Sequence, residues 1–482
     1  MVGYLDKISF VLNDRRVDLE RSPGLTVLDC LRTGFSLTGT KEGCKEGDCG
    51  ACTVILGTLK EGGGISYEPM TSCLLAVDEI HGKHLVTVEG LLIDGDLSPV
   101  QRAMVDCGGT QCGYCTPGFV VAMTAGMMDP KLPLNRDGLL YAISGNLCRC
   151  TGYRSIKEAG TSVLRGLQKK ISGGDRIEEL CRESYLPAYF LKVPELLSEI
   201  SDQFGPTDPS GSEEFYLAGG TDLFVQRGEH LMDSSLYLLS SRGTKPVPEV
   251  KDGWIRMDAR ITFEEFVDDP LIQQQLGGLA DWNLLISSWP VRTRATLGGN
   301  ICNGSPIADM TCLLLALGAE LTLSDRGRIR TVPLGNFYLG YKQLNKRKEE
   351  ILTEIAFPAV GPDDLVNWEK VSKRRWLDIA TVNSAIRLKM DGTRVVSARL
   401  ALGGVAATPL VVDGVGELLD GSELGPKAVA GLLHLVEEKI APISDVRGSA
   451  SYKRLLARQL VLAHFAELFP ETFSSKEIYA AL

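Results

Sequence analysis

The sequence predicts a multidomain α+β protein, on three observations. Its 482 residues exceed what one hydrophobic core ordinarily serves, which points to about three or four domains. Ten of its 13 cysteines precede residue 151, in a region that opens with strand-like alternation and continues with helical patterns. From about residue 184 onward, strand and helix patterns alternate between glycine turns, as in an α/β or α+β domain.

The first segment, residues 1–90, opens with a hairpin. Lys7–Leu12 and Arg16–Leu19 alternate apolar and polar residues around an Asn13-Asp14 turn. Ser22-Pro-Gly precedes a short helix over Leu25–Leu31, a glycine-rich loop follows, and Cys52–Leu59 returns as a strand. Residues 91–170 read as all-helical, with helices opened by Ser98-Pro99, by Pro117 and by Asn135-Arg-Asp137. Ser172-Gly-Gly-Asp175 marks a linker over 171–183. A domain over 184–365 carries glycine turns at Ala218-Gly-Gly and Leu297-Gly-Gly-Asn300. A last segment, 366–482, has strands at Val382–Leu388 and Arg394–Leu402 and helices at Lys427–Ile440 and Ser451–Leu468.

A formal net charge of −10 argues against a nucleic-acid surface and against an anionic membrane as partner. The opening MVGYLDKISFVLNDRR has no basic run followed by a long apolar stretch, so no secretory signal is expected. The most apolar run, Cys312–Ala319, is far short of the roughly 18 residues of a membrane span. The cytoplasm is therefore the expected location. An odd cysteine count in a long chain without a leader also disfavours a disulfide framework, and eight of the cysteines fall into two tight sets.

Cys44-x4-Cys49-x2-Cys52, with Cys73 some twenty residues on, has the plant-type [2Fe–2S] spacing. Three thiolates from one short loop must wrap a cluster, so the backbone must turn tightly; Gly43, Gly47 and Gly50 permit that and leave amides to bond sulfur. Zinc is the alternative for four cysteines, but structural zinc sites usually pair two C-x2-C knuckles and this set has one. A Rieske centre would need histidine ligands, for which only His81 and His84 lie near. Cys30 reads as a core thiol. The second set joins Cys112-x2-Cys115 to Cys148-x-Cys150. In isolation C-x2-C also suits a redox dithiol or a zinc knuckle. Pro117 and Gly118 fit the start of a helix whose amides face a negative cluster; Cys107 reads as a spare thiol.

In their surroundings these motifs are specific. Leu37-Thr-Gly-Thr-Lys-Glu-Gly-Cys44, running into Gly47-Asp-Cys-Gly-Ala-Cys-Thr-Val54, together with QCGYCTPG and GNLCRCTGYRSI, resembles the iron–sulfur part of the xanthine dehydrogenase family of molybdenum hydroxylases. Ala218-Gly-Gly-Thr-Asp222 and Arg294-Ala-Thr-Leu-Gly-Gly-Asn-Ile-Cys-Asn-Gly-Ser-Pro-Ile-Ala-Asp309 are similar to that family's two FAD-binding loops. The resemblance implies a β-grasp plant-type ferredoxin domain over 1–90, an all-α [2Fe–2S] domain over 91–170, an α+β FAD-binding domain over 184–365 and a C-terminal α+β subdomain over 366–482.

It also implies roles. Ala218, Gly219, Gly220, Thr221, Asp222 and Leu223, Ile286, then Thr296, Leu297, Gly298, Gly299 and Asn300, and Asp309 are implied to line FAD, with Lys370 near its isoalloxazine end. The glycines make sense because amides can cradle a pyrophosphate where no side chain intervenes, although neither loop is a G-x-G-x-x-G fingerprint and glycine turns alone are also ordinary. Asp222 and Asp309 suit sugar hydroxyls better than phosphate. Such a chain is the iron–sulfur/FAD subunit of an NAD-dependent oxidoreductase, in an α2β2 heterotetramer with a molybdopterin-bearing large subunit that hydroxylates purine; this chain has no room for that domain. Gln111 is implied to face the partner's pterin. Electrons are implied to pass from the helical-domain cluster to the plant-type cluster, to FAD and to NAD+, with no general base needed in this chain. Arg374-Arg-Trp-Leu-Asp-Ile379 departs from the acidic stretch usual there, which leaves open an aldehyde or N-heterocycle hydroxylase with another acceptor. A stand-alone electron-transfer flavoprotein is a further alternative.

Overall fold

The computed structural model describes residues 7–473 apart from 21–23, 61, 201–214, 235, 242 and 244. The first six residues, and Ser22-Pro23 before the first helix, lie outside that description. By contact the chain forms two units, residues 1–243 with 288–295 and residues 244–287 with 296–482.

In the first unit, β1 (Lys7–Leu12) and β2 (Arg15–Glu20) make the expected hairpin, with Asn13 at φ 54° in its turn. Asparagine takes that left-handed conformation more readily than most residues. β3 (Thr53–Leu59) and β4 (Ile65–Thr71) form a second hairpin. β5 (His84–Val86) lies between the two, parallel to β1 and antiparallel to β3, so the order is β2-β1-β5-β3-β4. Where one short helix over 25–31 is expected, a single turn, Val27–Asp29, runs into a wider π turn, Cys30–Gly34, with Thr33 Oγ1 donating to the Asp29 carbonyl at 2.6 Å. Cys30 is buried there with Phe10, Val27 and Val54, as a core thiol.

The helices Pro99–Asp106, Thr116–Met128, Arg136–Ala142 and Arg154–Leu167 follow. The starts of the first three were legible: Ser98 and Gln101 form a capping box, Pro117 lies in the first turn of its helix, and Asn135 Oδ1 accepts the amides of Asp137 and Gly138. The stretch 171–183 is not a free linker. Arg176–Arg182 is a helix capped by Asp175, Leu180 is buried in the helical core, and Glu179 Oε1 accepts the amides of Ser172 and Gly174 at 3.0 and 3.2 Å. Residues beyond 183 also pack backwards. Leu186 and Phe190 join the helical core, and Val193, Leu197 and Ile200 pack with Val11. So does Trp289, far along the chain and 2% exposed in that same core. These apolar side chains, rather than the polar run at 172–175, decide where the unit ends. The unit also holds parallel strands β6 (Phe215–Leu217) and β7 (Leu236–Leu238), connected through the helix Leu223–Met232.

The second unit has two antiparallel sheets. The first comprises β8 (Glu249–Lys251), β9 (Trp254–Asp258), β10 (Glu320–Asp325) and β11 (Arg328–Pro333). A small hairpin, β12 (Tyr338–Gly340) with β13 (Gln343–Leu344), then precedes β14 (Ile351–Pro358), which completes the order β11-β10-β14-β9-β8. The second sheet is β15 (Asp364–Val371), β16 (Val382–Asp391), β17 (Arg394–Gly403) and β18 (Leu410–Val411). Helices Pro426–Lys439 and Ala450–Leu468 cover it, burying Ile386, Leu400, Leu432, Val436 and Phe465. Among the described residues no helix is long and apolar enough to cross a membrane.

Each unit buries one neutral histidine. His84 Nε2 donates to the Asn13 carbonyl at 2.9 Å and Nδ1 takes the Tyr67 hydroxyl at 3.0 Å. His464 Nδ1 takes the Asn367 amide at 3.0 Å and Nε2 donates to Ser384 Oγ at 2.8 Å. Neither ring has a free acceptor for a second proton, and burial pushes both down to about 3. An unfolded histidine protonates near 6.5, so folding loses stability as pH falls from there, by up to about 1.4 kcal/mol per pH unit for each ring. The melting temperature should therefore fall between pH 6.5 and 5, above the usual carboxylate range. His464→Gln should flatten that slope in calorimetry at pH 7, 6 and 5; an unchanged slope would refute the assignment.

Candidate cluster and flavin sites

The loop from Gly43 to Cys52 is shaped by its glycines. A Cβ at Gly43 would stand 2.6 Å from Cys49 Sγ, and Gly50, at φ +65°, faces the Gly145 carbonyl. Cys44 Sγ accepts the amides of Glu46 and Asp48, each at 3.3 Å. A hydrogen bond from Cys49 lowers the Cys44 thiol to about 5, against burial and with help from those amides. Cys73, in a short turn after β4, brings its sulfur within 3.3 Å of Cys52 Sγ, and the hydrogen bond from Cys73 lowers the Cys52 thiol. The four sulfurs therefore fall into two pairs, 44 with 49 and 52 with 73. A two-iron cluster asks for this, two thiolates on each iron. Among the described residues no three His, Cys, Asp or Glu side chains are placed to hold one metal ion. His81 accepts the Ser9 amide and His84 is engaged in the core, so neither joins the sulfurs.

The second set repeats the pairing. Cys112 and Cys150 sulfurs are 3.6 Å apart, and the Cys115 thiol is pushed up to about 12 by burial and by neighbouring Cys148. Cys115 is the N-cap residue of Thr116–Met128, and the Cys148 amide donates to Tyr153 Oη at 3.1 Å. Cys112, Cys150 and Gln111 are exposed, whereas Cys148 is buried. Cys107, half-buried, packs against the helical core.

The two cysteine loops touch through their backbones. The Leu147 amide donates to the Cys49 carbonyl at 2.9 Å, and Asn146 Nδ2 to the Gly50 carbonyl at 3.0 Å. A Cβ on Gly118 would lie 2.2 Å from that same Gly50 oxygen. Ligand candidates Cys49 and Cys148 are thus separated by one hydrogen bond and one intervening residue. Asn146 was not among the sequence candidates, although it sits inside a quoted motif, and Gly118 was read only as part of a helix start.

The flavin candidates divide between the units. In the first, Gly219 and Gly220 are buried, and among the described residues the amides of Gly219, Gly220 and Thr221 have no hydrogen-bond acceptor. Buried unpaired amides are rare and call for a ligand, and a pyrophosphate supplies acceptors, so this loop fits FAD. Ala218 and Leu223 flank it half-buried, and Asp222 Oδ2 accepts from Gln226 at 2.5 Å. In the second unit the glycine amides are already used. Gly298 N–H donates to the Ala259 carbonyl at 2.8 Å and Gly299 N–H to Thr296 Oγ1 at 3.0 Å. Glycine is needed at 298 for packing, since a Cβ would lie 2.7 Å from Ala259 O, so the cradle expected at Gly298-Gly299 is not free. Leu297 is fully buried and contributes packing. Asn300 Oδ1 accepts from Thr311 Oγ1 at 2.9 Å. Lys370 Nζ, its side chain 1% exposed, donates to Asp309 Oδ2 at 2.7 Å and to the carbonyl of Leu285, beside buried Ile286, at 2.8 Å. Asn383 Nδ2 donates to Asp309 Oδ1 at 2.6 Å. Ile286, Asp309 and Lys370 are thus brought together, and Asn383 is a member that sequence reading missed.

Comparison with known proteins agrees along the chain. Family models match in succession: a 2Fe-2S iron-sulfur cluster binding domain (residues 10–77) and a [2Fe-2S] binding domain (87–161), then an FAD binding domain in molybdopterin dehydrogenase (193–360) and a CO dehydrogenase flavoprotein C-terminal domain (369–468). Xanthine dehydrogenase of Drosophila subobscura is 30% identical over 94% of this chain and 38% of its own length, and xanthine dehydrogenase 1 of Arabidopsis thaliana 26% identical over 97% and 40%. The chain thus spans about two fifths of the length of these relatives. Among solved structures, carbon monoxide dehydrogenase from Hydrogenophaga pseudoflava aligns with 54% of this chain and 90% of its own at 26% identity, with a TM-score of 0.49. The chain belongs to the molybdenum hydroxylase family, as its two iron–sulfur domains followed by its flavin domain.

Proposed function

We propose that this chain is the electron-transfer portion of a purine-oxidising enzyme, linking xanthine or hypoxanthine oxidation at a molybdopterin-bearing large subunit, in an α2β2 assembly, to NAD+. When bound, the clusters supply one-electron transfer and FAD joins it to hydride transfer. Cys112, Cys115, Cys148 and Cys150 hold the cluster nearer the partner, and Cys44, Cys49, Cys52 and Cys73 hold the one nearer the flavin. The loop Ala218–Leu223 takes the pyrophosphate, and Asp309 and Lys370 orient the flavin. The observation that carries this reading is the pair of two-plus-two sulfur sets joined by the Leu147–Cys49 hydrogen bond. Exposure of Cys112, Cys150 and Gln111 supports putting the second set on the partner's side.

The acceptor has a second reading, favoured by Arg374 and Arg375, which are exposed in a loop where Leu377 is held at φ +70°. In that reading the same relay serves an aldehyde or N-heterocycle hydroxylase with another acceptor. Purification of the chain with its bound partner, followed by NAD+ reduction assays with xanthine, hypoxanthine and an aldehyde, decides between them. NADH formation with the purines is expected; turnover of the aldehyde with the purines inert would reject the purine reading.

A further inference from the structure

Arg294 begins the second glycine motif, yet its side chain serves the first. The Arg294 side chain is 10% exposed. Its Nη1 lies 3.2 Å from Glu79 Oε2, in the turn shortly after Cys73, and its Nη2 donates to the Gly219 carbonyl at 3.2 Å. Ser240 Oγ donates to the other Glu79 oxygen at 2.7 Å. Burial alone raises the Glu79 carboxyl, but Arg294, with Lys83 and Ser240, holds it below the usual range. The backbone is equally close: a Cβ on Gly219 would stand 1.8 Å from the Arg294 carbonyl oxygen, and one on Gly220 3.2 Å from the Leu74 carbonyl, next to Cys73.

Buried ion pairs contribute little net stability, because desolvation offsets the attraction; what such a pair can supply is a single geometry. Here the geometry concerns one peptide unit. In a trans peptide the carbonyl and the following amide point in opposite directions. Holding the Gly219 oxygen on Arg294 therefore turns the Gly220 N–H away from it, and that amide is among those without an acceptor. Arg294 Nε is itself buried without a partner.

We propose that Arg294, anchored by Glu79, is a positioning residue that sets the Gly219–Gly220 peptide so that its amide receives the pyrophosphate of FAD. This rests on the flavin reading above. The test uses the full chain stripped of flavin and titrated with FAD and with riboflavin, which lacks the pyrophosphate. Arg294→Lys keeps a cation for Glu79 but lacks the fork that also reaches Gly219. It is expected to weaken FAD binding about tenfold, the scale of one charge-assisted hydrogen bond, while leaving riboflavin binding and the visible absorption of the clusters unchanged. Arg294→Ala is expected to weaken FAD at least as much; should it fail to fold, the lysine variant decides alone. Wild-type FAD affinity in Arg294→Lys, or equal weakening of both flavins, would overturn the proposal and leave an ion pair that only holds segments together. A wild-type chain that takes up no FAD would overturn the flavin reading, and this proposal with it.

Discussion

Cys49→Ser is expected to reduce the iron content from about four atoms per chain to about two and to abolish flavin reduction by purine, while NADH bleaches the flavin at a near-normal rate. Cys49 shares a sulfur hydrogen bond with Cys44 and packs its Sγ against Gly43, so the similar-sized serine keeps the loop's shape. Its hydroxyl stays protonated near neutral pH and is a poor ligand where a thiolate is required. The second set is untouched, since only the Cys49 carbonyl reaches it, through Leu147. Iron analysis and anaerobic spectra with each reductant check the result. If NADH no longer bleaches the flavin in a folded variant that retains FAD, the proposed order of the centres is wrong.

Lys370→Met is expected to destabilise the second unit by about 3 kcal/mol and to release FAD. The methionine fills the space but leaves Asp309 without the cation 2.7 Å from Oδ2 and the Leu285 carbonyl without its donor. Asn383 and the start of the helix Asp309–Leu317 still favour the carboxylate, which keeps the loss at the lower end for a broken buried pair. Replacing both partners is a different experiment. Lys370→Met with Asp309→Leu removes both charges and should recover much of the stability without recovering FAD. Denaturant unfolding monitored alongside bound-flavin fluorescence separates the two; recovery of FAD in the double variant would show that the pair only supports the fold.

Much of this was legible because it depends on neighbours in sequence. Cysteine spacing, the glycines around it and the caps at Ser98 and Asn135 act within a few residues, and each produced the local structure expected. Where reading failed, the deciding contacts were distant. The run at 172–175 has the composition of a linker, but Leu180 and Phe190 find the helical core and carry the chain into it. Gly298-Gly299 has the composition of a phosphate cradle, but the distant Ala259 carbonyl takes the Gly298 amide, while Thr296 nearby takes that of Gly299. Nothing in the local pattern announces an acceptor dozens of residues away.

By itself, then, the sequence determined the chemistry available: eight cysteines in two sets, glycines at close approaches, and an order of segments matching the iron–sulfur and flavin domains of one family. The tertiary structure decided how that chemistry is connected. It paired 44 with 49, 52 with 73, 112 with 150 and 115 with 148, laid Leu147 against Cys49, and buried Trp289 among the helices of the iron–sulfur unit. With Trp289 goes Arg294, five residues on, whose side chain reaches Glu79 and Gly219. The reason is physical: a thiolate's reactivity is written in its side chain, but its partner is chosen by whichever apolar surfaces bury together, and that is a property of the whole chain.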